Sequence, residues 1–353
     1  MNDDTRLRDG AMPREDLQRP VAAEVACAPG AEHAQAHVYA ALDLGTNNCR
    51  LLIACPTSDG FRVVDSFSRI IRLGEGVSAT GCISEAAIER AIAALSICRD
   101  KIEAKKAKRV RLIATEACRA ASNAQGFRDR VAAETGIRLE VIDRETEAAL
   151  AVIGCSPLLD PKGRGAILFD IGGGSTELVR IERDPTQAHD EPRTKAWMSI
   201  PLGVVKLAEH FGGRDVTREI YQRMVEEVAR HVAPFAAEHG RDLKDMHLLG
   251  TSGTVTTLAG IHLALPRYIR ALVDGSTLTF TQIDKVSRDL AGLDIDGRAA
   301  SPCVGRERAD LVLSGCAILD AICATWPVGQ LRVADRGVRE GILFDLMNGR
   351  PAH

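Results

Sequence analysis

The strongest constraint on the fold of this 353-residue chain is an internal repeat. Residues 39–54 read YAALDLGTNNCRLLIA, and residues 166–181 read AILFDIGGGSTELVRI. In both segments an apolar run is followed by an aspartate, an apolar residue, a glycine, a polar turn and a second apolar run. The offset from position 39 to position 166 is far longer than the period of solenoid repeats, so we expect a duplicated domain rather than an array.

Each copy of the repeat is predicted to form a β-hairpin with a strand-ending aspartate. Asp43 aligns with Asp170, Gly45 with Gly172, and Asn48 with Ser175. Two such hairpins that face each other across a cleft would offer backbone amides to an anion and carboxylates to a divalent cation. For either hairpin alone, the alternative is a plain turn in which the aspartate accepts backbone hydrogen bonds.

The three consecutive glycines at 172–174 differ from two common phosphate-binding loops. A dinucleotide-binding loop would read G-x-G-x-x-G, but no later glycine follows in register, and a P-loop would need a lysine that is absent here. The residues that follow favour a strand rather than a helix. The glycine row is therefore predicted to form the tip of a β-hairpin.

Bulk composition narrows the class of protein. With 45% hydrophobic and 26% charged residues, the chain is typical of a soluble globular protein, and its length suits two domains. Residues 1–37 lack an apolar export signal and are predicted to be a disordered tail. The ten cysteines show no metal-binding spacing, which favours reduced thiols in the cytoplasm.

Charge and aromatic content argue against two kinds of partner. The net charge is −3 and only 4% of residues are aromatic, so nucleic acid is a poor partner hypothesis. The longest uncharged span, residues 248–265, is rich in Gly, Ser and Thr, so no membrane segment is predicted. Any phosphate-rich ligand must be met by local charges.

Alternating strand and helix patterns predict three-layer α/β domains. One helix is expected to begin near Ser84, and a later helical stretch is expected to be interrupted at Asn123. Another helix is expected to begin at Asp143 or Arg144 and to join domain I (38–147) to domain II (148–353). From helix position alone, either Glu145 or Glu147 could be a catalytic base, because a helix N-terminus favours an ionised carboxylate.

A series of ordered motifs between residues 39 and 347 carries a family resemblance. They read LDLGTNNCRLLI, RLGEGV, ATEACRAASN, VIDRETEAA, FDIGGGSTELV, IPLGVVKLAE, LGTSGTVTTLAG and VADRGVREGIL. The chain resembles the short two-domain form of the exopolyphosphatase and guanosine pentaphosphate phosphatase (Ppx/GppA) family, within the actin, hexokinase and sugar kinase superfamily. The resemblance implies two similar three-layer ribonuclease H-like (actin-like ATPase) domains with an active-site cleft between them.

The resemblance also assigns roles to residues. It selects Glu147 as the catalytic base, places Arg119 at the active site, and assigns Mg²⁺ or Mn²⁺ to Asp170, Glu177 and Asp43. Ala149 stands where many relatives carry an arginine, which puts the strength of phosphate binding in doubt. The expected phosphate-binding residues are Gly45, Thr46, Asn47, Asn48, Gly172, Gly173, Gly174, Ser175, Gly250, Ser252 and Gly253.

The function that these features favour is an exopolyphosphatase, which releases terminal orthophosphate from inorganic polyphosphate with the help of a metal ion. The first alternative is hydrolysis of the 5′ phosphate of guanosine pentaphosphate, because both substrates expose a terminal phosphoanhydride. A sugar or acetate kinase shares the phosphate clamp, and a non-catalytic sensor of polyphosphate or guanosine alarmones is a further alternative. Analogy alone suggests a homodimer.

Overall fold

The computed structural model of this chain describes residues 37–58, 60–184 and 192–349. The predicted disordered tail at residues 1–37 lies outside the described residues, apart from the exposed His37. From His37 onward the chain forms one compact unit that contains both predicted domains.

The described residues form strands and helices in alternation. The strands are β1 (Tyr39–Leu44), β2 (Asn48–Thr57), β3 (Gly60–Ile70), β4 (Arg109–Ala114), β5 (Glu140–Val141), β6 (Gly165–Ile171), β7 (Thr176–Glu182), β8 (Arg193–Ile200), β9 (Met246–Thr251), β10 (Thr277–Thr279) and β11 (Gln330–Ala334). The helices are α1 (Val77–Thr80), α2 (Glu85–Ala104), α3 (Glu116–Ala120), α4 (Ala124–Thr135), α5 (Arg144–Cys155), α6 (Val204–Phe211), α7 (Arg218–His239), α8 (Gly253–His262), α9 (Arg270–Val273), α10 (Phe280–Ala291), α11 (Ile295–Ala300), α12 (Val312–Thr325) and α13 (Val338–Met347).

The strands build two mixed sheets with the same topology. The first has the order β3-β2-β1-β4-β5, and the second has the order β10-β11-β9-β6-β7-β8. Read from β8, the second sheet repeats the first and adds β10 at its edge. In both sheets a three-stranded antiparallel meander is followed by strands that run parallel to its first strand. The duplication and the α/β fold class predicted from the repeat are confirmed.

Side-chain alternation along the central strands explains the layers. On β1, Leu42 packs into a core with α2 and α4, whereas Ala41 faces a different core that contains α5 and α13. On β6, Phe169 packs toward α7, α8 and α12, whereas Leu168 faces the same α5 and α13 core. Because successive side chains of a strand point to opposite faces, each sheet is covered on both sides, and α5 and α13 lie between the sheets.

Two predicted helix starts are confirmed by their caps. The Ser84 hydroxyl accepts a hydrogen bond from the Ala87 amide at the start of α2, and the Asp143 carboxylate accepts one from the Thr146 amide at the start of α5. These bonds satisfy amides that have no partner within the helix. The helical stretch after Glu116 is interrupted before Ala124, as expected. Helix α5 connects the last strand of the first sheet to the first strand of the second.

Helices α5 and α13 approach each other at backbone distance. A Cβ atom placed on Gly341 would lie 2.0 Å from the carbonyl oxygen of Leu150, and one on Gly154 would lie 2.0 Å from that of Gly337. Neither position can hold a larger side chain without moving a helix. The glycines therefore set the position of α5, whose first turn carries Glu147.

No helix in the described ranges is both long and apolar enough to cross a membrane. The described cysteines are all free thiols: Cys49, Cys55, Cys82, Cys98, Cys118, Cys155, Cys303, Cys316 and Cys323. A cytoplasmic location stays a prediction.

Gly341→Ala is expected to destabilise the protein by at least about 2 kcal/mol, because the new methyl group would overlap the α5 backbone. The free energy of unfolding in urea measures this effect. Gly126→Ala is the matched control, since a Cβ on this α4 glycine meets nothing within 4 Å, and it is expected to stabilise by up to about 1 kcal/mol. Equal effects of the two substitutions would contradict close packing at the helix crossing.

Candidate active site

The two hairpin turns of the repeat have the same hydrogen bond. The Gly45 amide donates to the Asn48 carbonyl, and the Gly172 amide donates to the Ser175 carbonyl, each at 2.9 Å. These are the residue pairs that the sequence repeat aligns. The turn predicted at the glycine row is therefore a hairpin tip, and its counterpart lies after β1.

The two tips touch each other. A Cβ atom on Gly173 would lie 2.9 Å from the Cβ of Thr46, and one on Gly174 would lie 2.8 Å from the Cγ of Glu116. Glycines 172–174 have no positive φ angle, so crowding rather than backbone strain excludes larger residues. The tips can meet because the second one lacks side chains.

The backbone carbonyls at both tips are occupied, whereas the amides are free. The Thr46 carbonyl accepts from the Gly74 amide at 2.8 Å, and the Gly172 carbonyl accepts from Val204 at 3.0 Å. Among the described residues, nothing accepts from the amides of Thr46, Asn47, Gly173 or Gly174. Successive unpaired amides in a turn form a concave anion site, so this arrangement suits a phosphate.

Most of the predicted site residues line one cleft at these tips. They are Asp43, Gly45, Thr46, Asn47, Asn48, Glu147, Asp170, Gly172, Gly173, Gly174, Ser175, Glu177, Ser252 and Gly253. Ser252 caps α8 by accepting from the Val255 amide at 3.1 Å, so the N-terminus of this helix faces the cleft. The partial positive charge of a helix N-terminus favours an anion there.

Two predicted site residues, Gly250 and Arg119, do not line the cleft. Gly250 is inside β9, opposite Phe169 in the sheet, and a Cβ there would lie 2.5 Å from the Phe169 ring. The prediction that Gly250 contacts phosphate is corrected, because the absence of a side chain at this position makes room for the Phe169 ring. Arg119 is also outside the cleft lining, and its guanidinium donates to Glu147 at 2.7 Å and to the Ile142 carbonyl at 2.8 Å.

The geometry separates the two candidate bases in the first turn of α5. Glu145 is exposed, whereas Glu147 lines the cleft with a side chain only 13% exposed. Burial raises the pKa of Glu147, the nearby Glu177 carboxylate raises it further, and Arg119 opposes both. A raised pKa brings a carboxylate closer to the proton affinity that a general base needs near neutral pH.

Three further carboxyl groups share the cleft. Burial raises the pKa of Asp170 to about 7, and it also raises the pKa values of Asp43 and Glu177. Glu177 accepts hydrogen bonds from the hydroxyls of Ser175 at 2.8 Å and Ser199 at 3.0 Å. In the part of the chain that the structure describes, the carboxylates of Asp43 and Asp170 accept no hydrogen bond, so their oxygens are available to a ligand.

The carboxyl groups fit a hard cation that keeps part of its water shell. Across residues 37–58, 60–184 and 192–349, no group of three or more His, Cys, Asp or Glu side chains could hold a metal ion by itself. Mg²⁺ does not require such a group, because it is usually bound by one or two carboxylates together with substrate phosphates and water. One or two of the carboxylates of Asp43, Asp170 and Glu177, completed by water and substrate phosphates, are therefore compatible with Mg²⁺ or Mn²⁺.

Two arginines in the cleft were not predicted. Arg50 lines it from β2 and Arg308 from the turn before α12, and a Cβ on Gly253 would lie 4.0 Å from Arg50 Nη2 and 3.7 Å from Arg308 Nη1. Neither guanidinium makes a hydrogen bond or ion pair with a described residue. Burial and the like charge of Arg50 lower the pKa of Arg308. Two unpaired like charges at one site indicate an anionic ligand.

Glu116 is the third residue that the sequence reasoning missed. It is 4% exposed and accepts from Arg144 at 3.0 Å, Lys206 at 3.2 Å and Arg119 at 3.2 Å. The repeat could have indicated Arg50, since it aligns with Glu177 in the second copy. No local signal pointed to Arg308 or Glu116, because their neighbours come from distant parts of the chain.

Two sheets of one topology, with facing hairpins around one cleft, define an actin-like α/β fold. The sequence pattern of the Ppx/GppA phosphatase family matches residues 52–349, and the chain belongs to this family. Ppx/GppA phosphatases generally depend on a divalent metal ion. The predicted family resemblance, fold class and class of hydrolase are confirmed.

Individual relatives agree with this assignment. The chain is 29% identical to exopolyphosphatase 2 of Mycobacterium tuberculosis, covering 87% of this chain and 98% of that protein. It is 29% identical to the guanosine-5′-triphosphate,3′-diphosphate pyrophosphatase of Aeromonas hydrophila over 88% of this chain, but it spans only 59% of that relative. The crystal structure of the Aquifex aeolicus Ppx/GppA family member matches with a TM-score of 0.73 at 30% identity, covering 90% of this chain and 99% of that one.

Asp170→Asn is expected to stabilise the metal-free protein by about 1–2 kcal/mol at about pH 8 and to have no such effect at about pH 4. The folded-state pKa of Asp170 is raised from 3.8 to about 7. The wild type therefore loses stability as the pH rises through this window, and the amide does not.

Thermal unfolding in EDTA across this pH range measures the difference. Asp242→Asn is the control, because its exposed carboxylate is paired with Arg164, which lowers its pKa. A wild type that is more stable than Asp170→Asn at the alkaline end would show that the Asp170 carboxylate is already stabilised by the protein.

Proposed function

We propose that this protein is an exopolyphosphatase, which removes terminal orthophosphate from inorganic polyphosphate by attack of water. The observation that carries the proposal is the meeting of two hairpin tips with free amides beside the Glu147 carboxylate. The name of the mycobacterial relative, which is matched over nearly its whole length, supports the same substrate.

Glu147 is the proposed general base. Its carboxylate would accept a proton from water as the water oxygen forms a bond to the terminal phosphorus and the phosphoanhydride bond breaks. The products are orthophosphate and a chain shorter by one phosphate, which leaves with the bridging oxygen. Arg119 is proposed to position this carboxylate through their 2.7 Å ion pair rather than to touch the phosphate.

The chain's cationic and backbone groups would hold the phosphates. The free amides of Thr46, Asn47, Gly173 and Gly174 would surround the terminal phosphoryl group and stabilise the charge that develops during the reaction. Arg50 and Arg308 would bind the phosphates that follow, because their guanidinium forks match phosphate oxygens. Since these arginines are unpaired, binding requires no existing ion pair to break.

One or two of Asp43, Asp170 and Glu177 would hold the divalent cation together with water and substrate phosphates, and Mg²⁺ and Mn²⁺ are both suitable. When bound, such an ion neutralises negative charge on the substrate phosphates. The raised pKa values of these carboxyl groups are consistent with this role, because a cation would replace the protons that burial favours.

A guanosine pentaphosphate 5′-phosphohydrolase is the second candidate. The pyrophosphatase of Aeromonas hydrophila carries that activity in its name, but it extends well beyond the part that this chain matches. The cleft would accept either terminal phosphoanhydride by the same contacts. A comparison of kcat/KM for polyphosphate and guanosine pentaphosphate decides between them. A cytoplasmic location and a homodimer remain predictions.

Glu147→Gln is expected to lower orthophosphate release from polyphosphate in Mg²⁺ by about a hundredfold or more, because the amide cannot accept the proton. Release of orthophosphate over time measures the effect. Glu145→Gln, two positions earlier and exposed, is the matched control and should keep wild-type activity. No release by the wild type, or unchanged release by Glu147→Gln, would overturn the proposal.

Mg²⁺ is expected to raise the melting temperature of the wild type more at about pH 8 than at about pH 6, because protons and the cation compete for the same carboxylates. Asp170→Asn should lose most of this shift. Differential scanning calorimetry measures it without reference to turnover. A shift that is independent of pH and of Asp170 would place the cation elsewhere.

A further inference from the structure

An ion pair next to Arg308 joins the segment after β3 to the turn before α12. Arg72, two residues after β3, donates from Nη1 to Asp310 Oδ2 at 2.8 Å and from Nη2 to Asp310 Oδ1 at 2.9 Å. Its Nη2 also donates to the Glu307 carbonyl at 2.9 Å. The Arg72 guanidinium therefore binds the backbone carbonyl of Glu307, just before Arg308, and the carboxylate of Asp310, two positions after Arg308.

Arg72 is itself fixed to the first hairpin tip. Its amide donates to the Asn47 carbonyl at 3.1 Å, and its φ angle is 47°. This left-handed conformation is unfavourable for a residue with a side chain and persists where its surroundings impose it. The Arg90 guanidinium adds a bond to the Ile71 carbonyl at 2.8 Å. These hydrogen bonds therefore fix the backbone of Arg72 relative to the first hairpin tip.

Arg308 has no such fixation of its own. Its guanidinium bonds to no described residue, so its place in the cleft depends on its backbone. That backbone is held within the 305–312 turn, where the Arg308 amide donates to the Gly305 carbonyl at 3.2 Å and the Leu311 amide donates to the Arg308 carbonyl at 2.9 Å. Two other long-range hydrogen bonds, in which the Gly76 amide donates to Glu209 and Lys206 donates to Glu116, involve no residue of this turn.

We propose that Arg72 is a positioning residue that holds Arg308 in register with the first hairpin tip. This inference rests on the proposed function and deepens it. The tip amides bind the terminal phosphate, Arg308 binds a following phosphate, and Arg72 sets the spacing between them. A planar guanidinium can bond a carboxylate with two parallel bonds and a carbonyl at once, whereas the ammonium of lysine is a point charge without this fork.

A double-mutant cycle on Arg72 and Arg308 tests the proposal. Arg72→Ala and Arg308→Ala are each expected to raise KM for polyphosphate about tenfold with little change in kcat, and the double variant should be no worse than Arg308→Ala. If Arg72 only stabilises the fold, the two effects will add. Additive losses would overturn the proposal.

Two variants separate positioning from stability. Arg72→Lys keeps the charge but not the fork, so it should retain a melting temperature close to that of the wild type while its KM rises. Glu209→Gln weakens the long-range hydrogen bond from the Gly76 amide, and its effect should add to that of Arg308→Ala because this bond involves no residue of the 305–312 turn. A normal KM in Arg72→Lys at a normal melting temperature would contradict the proposal.

The same double-mutant cycle is also measured with binding affinities, so that its result does not depend on which substrate the enzyme hydrolyses. In the Glu147→Gln background, dissociation constants for tripolyphosphate, long-chain polyphosphate and guanosine pentaphosphate are measured by calorimetric titration. Failure of the wild type to hydrolyse polyphosphate would defeat the proposed function alone. Additivity of Arg72→Ala and Arg308→Ala for all three ligands would defeat the positioning role.

Discussion

The site depends on the contact between two hairpin tips that come from different sheets. Gly173 lies against Thr46 so closely that a single methyl group would overlap it. The backbone carbonyls of each tip accept hydrogen bonds from nearby backbone amides, whereas several amides of the tips have no acceptor among the described residues and remain available at the cleft. The duplicated fold supplies two such turns, and the absence of side chains on one of them allows the approach.

The cleft concentrates charges that the protein does not neutralise internally. Burial raises the pKa values of Asp43, Asp170 and Glu177, and a nearby carboxyl group raises each of them further. Arg50 and Arg308 stand unpaired beside them. Both arrangements oppose folding in the absence of a ligand. A metal ion and a chain of phosphates would satisfy them together, which explains why carboxylates and guanidinium groups coexist here without forming ion pairs.

Glu147 and Glu116 have different cationic partners, and their pKa values shift in opposite directions. Glu116 is surrounded by Arg119, Arg144 and Lys206, and Arg144 and Lys206 lower its pKa despite its burial. Among the residues that the structure describes, Glu147 has only Arg119 as a cationic partner, and burial raises its pKa. The first carboxylate suits a fixed structural charge, and the second suits proton transfer. Arg119 bonds to both and thereby sets their relative positions.

The sequence by itself determined the features that are encoded locally or by repetition. The two hairpins and the caps at Ser84 and Asp143 follow from short-range patterns, because turns and helix starts depend on a few neighbouring residues. The same patterns left Glu145 and Glu147 as alternative candidates for the base, and the family resemblance selected Glu147. The duplication also predicted that the hairpins would form a pair. These features were enough to predict the fold class and most of the cleft.

Only the tertiary structure decided which side chains reach the cleft. Arg308 arrives from a turn far along the chain, Arg119 turns toward Glu147, and Gly250 remains inside its strand beneath Phe169. The direction of a side chain and the identity of its partner depend on packing between distant segments. No pattern within one segment records that packing, so these placements could not be derived from the sequence alone.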